Sequence, residues 1–222
     1  MLKADLHVHS EYSVDTSMSV KKILDRCLKV GINCVAIADH DEVQGGLEMQ
    51  KIAPFPVIVA EEIMTTNGEI MGMFLSERIP GGISAEEAIR RIKEQGGLVC
   101  IPHPYDRARY AALEKGFPRE LLTQVDIIEI FNARATPLAD WDKAKQTAEE
   151  FGLLRSAGSD AHTPGEIGNA YVEMPEWTTK EEFRAALAQG EVYGHRSSML
   201  VHIPSTVTRM RRRITGKRKC KK

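Results

Sequence analysis

The stretch ADLHVHS, at residues 4–10, decides how the rest of the chain is interpreted. A short apolar run, typical of a buried β-strand, ends there in two histidines separated by one residue. In an extended segment the side chains of His7 and His9 emerge on the same side, so both can reach one metal ion at about 2.0–2.1 Å. This stretch therefore predicts a strand that delivers metal ligands at its carboxyl end.

The same arrangement recurs along the chain. Five further apolar runs, CVAIA, PVIVA, LVCIP, VDIIEIF and LLRSAG, end in or are followed by polar side chains suited to metal binding. Carboxyl ends of parallel strands share one face of a sheet or barrel, where such folds place their active sites. The polar residues at these ends are Asp39, His40, Asp41, Glu61, Glu62, His103, Glu129, Asn132, Asp160 and His162.

The spacing of the apolar runs predicts an α/β fold. Most of them alternate with amphipathic segments of helical length, which favours a largely parallel sheet. Ser19 and Ser84 are predicted N-caps, and Gly31 follows the last residue of the first predicted helix. We expect one domain over residues 1–204 and a short basic tail over residues 205–222.

Composition limits the class of protein. The 222 residues are 42% hydrophobic and 27% charged, as expected for a globular chain. No apolar run approaches the ~20 residues of a membrane span, no signal core precedes the first strand, and the four cysteines form no CxxC pair. These features predict a cytoplasmic protein without a membrane span.

Charge is unevenly distributed. Residues 209–222 carry nine Lys or Arg and no acid, which leaves 21 of the 30 basic residues against all 31 acidic ones. Disorder is one interpretation of this tail. Binding to nucleic acid or to an anionic membrane surface is the other.

Imidazole and carboxylate ligands without thiolate favour Zn, Mn or Fe over Mg. About eight candidate ligands exceed the needs of one ion, so we expect two or three divalent metal ions. Two ions about 3.5–4 Å apart can activate water and clamp a phosphoryl group, so hydrolysis needs no protein nucleophile. No P-loop, GxGxxG or GxSxG motif suggests another chemistry.

Five motifs, in order, resemble those of the PHP (polymerase and histidinol phosphatase) superfamily: DLHVHS, ADHD, AEEI, the HP of IPHP, and GSDAH. The resemblance spans residues 2–200. It implies a distorted (β/α)7 TIM-like barrel with two or three metals. Members include histidinol phosphatases, nucleotide phosphatases, exonucleases and polymerase proofreading domains.

The resemblance also implies a ligand set. One site would use His7, His9, Glu62 and Asp160, another His40 and His162, and a third His103 with Glu62 as bridge. Asp15 occupies the place of a further ligand. Glu61 is the alternative to Glu62. The run EIMGMFL lacks a histidine that related trinuclear proteins often have, so either Glu69 replaces it or one site is weak.

The predicted function is hydrolysis of a small phosphorylated substrate or nucleotide. Exonuclease or phosphodiesterase activity on oligonucleotides and a non-catalytic metal-binding module are the alternatives. Asp41 is the candidate general acid, and Arg134, with Arg107 and Arg109, is a candidate phosphate ligand. Glu129 and Asn132 are either pocket-lining or structural, His195 and His202 are expected away from the pocket, and the sequence does not predict the oligomeric state.

Overall fold

The computed structural model describes residues 1–109, 113 and 116–215. Within these ranges nine strands form one sheet: β1 (Leu2–Val8), β2 (Cys34–His40), β3 (Val57–Thr65), β4 (Gly68–Met73), β5 (Leu98–Ile101), β6 (Ile127–Asn132), β7 (Leu154–Gly158), β8 (Ala170–Met174) and β9 (Glu191–Gly194). The α-helices of the described residues are α1 (Val20–Val30), α2 (Gln44–Ile52), α3 (Ala85–Glu94), α4 (Trp141–Phe151), α5 (Lys180–Ala188) and α6 (His202–Thr215).

The sheet closes almost completely into a barrel. Its strand order is β7-β6-β5-β4-β3-β2-β1-β8-β9. Just beyond β7, the Asp160 amide donates to the His7 carbonyl at 2.7 Å, and the His9 amide donates to the Ala161 carbonyl at 3.0 Å. These bonds join the two ends of the series β1 to β7, so the prediction of an α/β fold with a distorted (β/α)7 TIM-like barrel is confirmed.

The distortion lies at β4. This strand runs antiparallel to both β3 and β5, while β1–β2, β2–β3, β5–β6 and β6–β7 are parallel. Only Thr66 and Asn67 separate β3 from β4, and Gly68 has φ 106°. So short a connection forms a hairpin, because a parallel crossover needs a dozen or more residues.

The helix boundaries follow local chemistry. Ser19 and Ser84 accept hydrogen bonds from the backbone of the first turns of α1 and α3, which confirms both predicted N-caps. Gly31 ends α1 at φ 78°, a left-handed conformation that costs glycine little. The inner faces of these helices bury Ile23 and Ile89 against the sheet, which fixes the strands that carry the polar ends.

Part of the predicted tail over residues 205–222 is helical. Helix α6 extends through Thr215, and residues 216–222, with Cys220, lie outside the described residues. The domain boundary at residue 204 stays a prediction. Within the described ranges no helix is both long and apolar enough to cross a bilayer.

Candidate metal centre

The predicted metal-binding side chains meet at one end of the barrel. His7, His40 and Glu62 lie in β1, β2 and β3, and the others lie in the loops that follow strands. All are buried except His40, which is partly buried. Outside glycine, positive φ occurs at Asp41, Phe74, His103 and Asp160 among the described residues. Two of these four, His103 and Asp160, belong to the cluster and Asp41 lies beside it, as is typical of functional sites.

The first group surrounds the two histidines of β1. His7 Nε2 and His9 Nε2 are 3.1 Å apart, and each lies 3.5 Å from Glu62 Oε2. Asp160 Oδ1 is 3.2 Å from His9 Nε2. Ligands placed tetrahedrally at about 2.0–2.1 Å from an ion are about 3.3 Å from one another. The spacing of these four side chains therefore matches a single metal site.

A second group lies beside the first. Asp15 Oδ2 is 3.3 Å from His40 Nε2 and 3.1 Å from His162 Nε2. His9 completes this group, with one ligand atom from each of the four side chains within 4.8 Å of the others. The arrangement brings Asp15 to the histidines, where its sequence position alone left its role open.

A third group includes Glu69, the candidate replacement for the histidine that the run EIMGMFL lacks. His103 Nε2 is 2.8 Å from Glu62 Oε1 and 3.7 Å from Glu69 Oε2, and His40 Nδ1 is 3.3 Å from Glu62 Oε2. Glu69 is buried in β4 and forms a potential metal group with His40 and Glu62. Glu69 therefore lies close enough to these side chains to share an ion with them, its role as a replacement ligand stays a prediction, and Glu62 belongs to both the first and the third groups.

Two buried carboxylate oxygens show whether this cluster suits cations. Among the described residues, neither Glu62 Oε2 nor Asp160 Oδ1 has a hydrogen-bond partner, although both carboxylates are fully buried. An unsatisfied buried anion is costly, and histidine nitrogens surround both oxygens at ligand spacing. The donor set thus fits divalent cations.

The electrostatics favour the metal-binding forms of Glu62 and His9, whereas His7 has to give up a proton to bind a metal ion. Burial opposes ionisation of Glu62, but His7 and His40 hold the pKa of its carboxyl well below its usual range. Burial also opposes protonation of His7, yet Asp160 and Glu62 raise its pKa well above 6.5. Burial, reinforced by His162, lowers the pKa of His9 to about 3. An ionised carboxylate and a neutral imidazole are the forms that bind metals.

Other buried carboxylates hold the ligands in place. Glu129 Oε1 lies 3.2 Å from His7 Nδ1, and Glu129 Oε2 accepts from the His103 amide at 2.7 Å and from Asn132 Nδ2 at 3.0 Å. Asp5 accepts from the Ser159 amide and hydroxyl, immediately before Asp160. The sequence analysis missed Asp5, although it stands two residues before His7 in the first motif.

A cavity of about 770 Å³ opens beside the cluster. Asp41 lies on its wall and accepts a 3.3 Å hydrogen bond from the Met64 amide. Arg109 also lines it and forms an ion pair with Asp160, whereas Arg107 lines a different pocket. The other arginines of the cavity are Arg78, Arg134, Arg209 and Arg212.

Arg134, the candidate phosphate ligand, is engaged in protein contacts. Its guanidinium donates to Glu166 Oε1 at 2.8 Å, to Ser205 Oγ at 2.5 Å and to the Val201 carbonyl at 3.1 Å. The side chain is only 3% exposed. This geometry anchors the start of α6, and a role toward phosphate stays a prediction.

Helix α6 closes one side of the cavity, which the sequence analysis did not predict. Arg209 Nη2 is 3.0 Å from Asp15 Oδ2, and Arg212 donates to backbone carbonyls of the loop after β1, at residues 11, 13 and 16. His202 lines the cavity, so the expectation that it lies elsewhere was wrong. The basic composition of this segment was visible in the sequence, but it did not indicate that the arginines contact Asp15 and the loop after β1.

Comparison with known proteins agrees with this geometry. The PHP domain family matches residues 5–101, and the PHP-associated family PHP_C matches residues 140–192. Uncharacterized protein MJ0417 of Methanocaldococcus jannaschii is 39% identical over 179 residues, which cover 79% of this chain and 71% of that protein. Uncharacterized protein MJ1587 of the same organism is 43% identical over 145 residues, which cover 60% and 82% respectively. The chain belongs to the PHP family.

A solved structure shares the fold. It is a two-domain protein from Bacteroides vulgatus containing a predicted PHP-like metal-dependent phosphoesterase, with a TM-score of 0.73 and 20% identity. The match covers 93% of this chain and 69% of that one. The two proteins therefore share the barrel fold, and in this chain that fold carries His, Asp and Glu groups able to hold metal ions.

Proposed function

We propose that this protein hydrolyses phosphate monoesters of small molecules, nucleotides included, at a centre of two or three divalent cations. The observation that carries the proposal is the convergence of Glu62 Oε2 and Asp160 Oδ1 on histidine nitrogens at ligand spacing, both oxygens being buried without a hydrogen-bond partner among the described residues. The mixed imidazole and carboxylate set favours Mn, Zn or Fe(II) over Mg.

Each group of side chains would hold one ion. The first comprises His7, His9, Glu62 and Asp160, the second comprises His9, Asp15, His40 and His162, and the third comprises His40, Glu62, Glu69 and His103. Shared membership of His9, His40 and Glu62 limits how many groups can be filled at once. Bound divalent cations supply Lewis acidity toward phosphoryl oxygens and lower the pKa of water.

The remaining residues of the cavity would position and protonate the substrate. Arg109 lies next to Asp160, and a guanidinium with one N–H on a carboxylate can direct others to a phosphate oxygen. Asp41 stands on the wall outside the three groups, so we assign it the proton delivered to the leaving oxygen. Arg134 would act by holding α6 against the cavity.

The size of the cavity favours a small substrate over an oligonucleotide. A volume of about 770 Å³ lies within the range of about 300–1,000 Å³ typical of small-molecule pockets. Several arginines on its wall favour an anionic ligand. A monoester dianion gains more from such a wall than a singly charged diester does.

The test is hydrolysis of p-nitrophenyl phosphate and bis(p-nitrophenyl) phosphate by metal-stripped protein refilled with Mn, Zn, Fe(II) or Mg. We expect metal-dependent turnover of the monoester, with metal content measured by mass spectrometry. His7→Ala should remove both bound metal and activity, and Leu28→Ala, at an exposed position of α1, should remove neither. Turnover of the diester alone would indicate a phosphodiesterase, and full metal occupancy without turnover of either ester would indicate a non-catalytic module.

A further inference from the structure

The outward face of α6 carries an apolar stripe. Its members follow one another at alternating spacings of three and four residues, which places them on one side of a helix. Their exposed fractions range from 41% to 83%. The stripe begins in the turn before α6 and consists of Leu200, Ile203, Val207, Met210 and Ile214.

Contacts on the opposite face of α6 hold the stripe outward. Ser205 accepts from Arg134, Arg209 pairs with Asp15, and Arg212 binds three backbone carbonyls of the loop after β1. These polar contacts fix the rotation of the helix about its axis. Exposure of the stripe is therefore a property of the folded protein, and a ligand can reach it without displacing α6 from the cavity.

The segment that carries the stripe is basic in sequence. No Asp or Glu follows Glu191 in the sequence, and residues 209–222 contain nine Lys or Arg. Two of these, Arg209 and Arg212, face the cavity. The other seven are Arg211, Arg213, Lys217, Arg218, Lys219, Lys221 and Lys222.

We propose that α6 docks on the surface of an anionic lipid bilayer, with the apolar stripe in the interfacial layer and the positive charge of the segment attracted to the headgroups. An exposed apolar stripe and a basic sequence without acids are the two features of helices that lie in a membrane interface. Such a helix lies on a bilayer without spanning it. This inference goes beyond the proposed hydrolase activity and does not depend on it.

Two other ligands fit the same surface less well. Nucleic acid would use the basic residues, but its phosphates would leave the stripe in water. A second copy of the chain could cover the stripe helix against helix, but it would bring two basic segments together, and like charges repel. An anionic bilayer satisfies both features at once.

The experiment is flotation of the full chain with vesicles of phosphatidylcholine alone or of phosphatidylcholine with phosphatidylserine. We expect binding to the anionic vesicles only, weakened by salt, since each basic residue near the surface contributes about fivefold in affinity. The stripe variant Ile203→Ser/Ile214→Ser should weaken binding by about tenfold for each substitution, because buried apolar area is lost. The matched control Leu28→Ser/Leu138→Ser, at exposed positions away from α6, should bind as wild type.

Three results would overturn the proposal. The first is no binding to anionic vesicles. The second is binding that the stripe variant leaves unchanged, which would mean electrostatic adsorption of the basic segment, as to nucleic acid. The third is a dimer in light scattering that the stripe variant dissociates. Unfolding curves of the variants exclude misfolding, and unchanged ester hydrolysis separates this test from that of the proposed function.

Discussion

The adjacent residues Glu61 and Glu62 of β3 offer a decisive comparison. Their side chains point to opposite sides of the strand, so only Glu62 faces the histidines. Glu61 Oε2 accepts from the Ile79 amide at 2.8 Å, and Glu61 Oε1 has no hydrogen-bond partner among the described residues. We predict that Glu61→Gln leaves metal binding intact and changes the pH dependence of stability, whereas Glu62→Gln weakens metal binding.

The size of this pH-dependent change in stability follows from the pKa of Glu61. Burial raises it from 4.5 to about 8. Between these values the folded state binds more protons than the unfolded state, so stability falls as pH rises. The contribution of Glu61 to the free energy of unfolding is fully present below pH 4.5 and is lost by about pH 8. At about 1.4 kcal/mol per pH unit the loss is about 3 to 5 kcal/mol. Glutamine keeps the hydrogen bond and does not ionise, so Glu61→Gln lacks this loss.

The assay is urea unfolding of wild type and Glu61→Gln from pH 5 to pH 8.5, with chelator present so that metal loading does not vary. We expect the free energies of unfolding to be similar at pH 5 and to diverge in favour of the variant toward pH 8. Equal pH slopes for the two proteins would refute the reasoning. Metal content after refilling should be unchanged in Glu61→Gln and reduced in Glu62→Gln, and the reverse would identify Glu61 as the ligand.

Two further predictions concern buried contacts. Arg134→Ala leaves the buried Glu166 carboxylate without its ion-pair partner and should lower the free energy of unfolding by about 3–5 kcal/mol. The double variant Arg134→Ala/Glu166→Ala should lose much less stability than the sum of the two single variants. A double-mutant cycle measured by urea unfolding tests this. Gly158→Ala would place a Cβ 2.3 Å from the His7 Cβ, so the metal affinity measured by calorimetry should fall. The control is Gly165→Ala, whose new Cβ would have no heavy atom within 4 Å. Unchanged metal affinity in Gly158→Ala would contradict this prediction.

Much of the site was predictable from local sequence. His7 and His9 are separated by one residue at the end of β1, and that spacing in an extended segment places both side chains on one side. Asp160 and His162 repeat it after β7. Because parallel strands share the direction of their carboxyl ends, the polar residues that follow separate apolar runs were expected to meet, and the barrel brings them together.

Other parts of the site depend on contacts far apart in sequence. Alternation along β3 separates Glu61 from Glu62 but does not say which of them faces the barrel interior. The third group depends on β4 running antiparallel, since that direction brings Glu69 to His103. A sequence pattern does not contain this proximity.

The sequence by itself determined the α/β class, the strand ends that carry His, Asp and Glu, and the metal chemistry those residues favour. Tertiary structure alone decided that Glu69 lies beside His103, that Arg134 pairs with Glu166, and that α6 closes the cavity through Arg209 on Asp15, 194 residues away. Local periodicity reports which face of an element is buried. Which elements meet is decided only when the whole chain packs around one core.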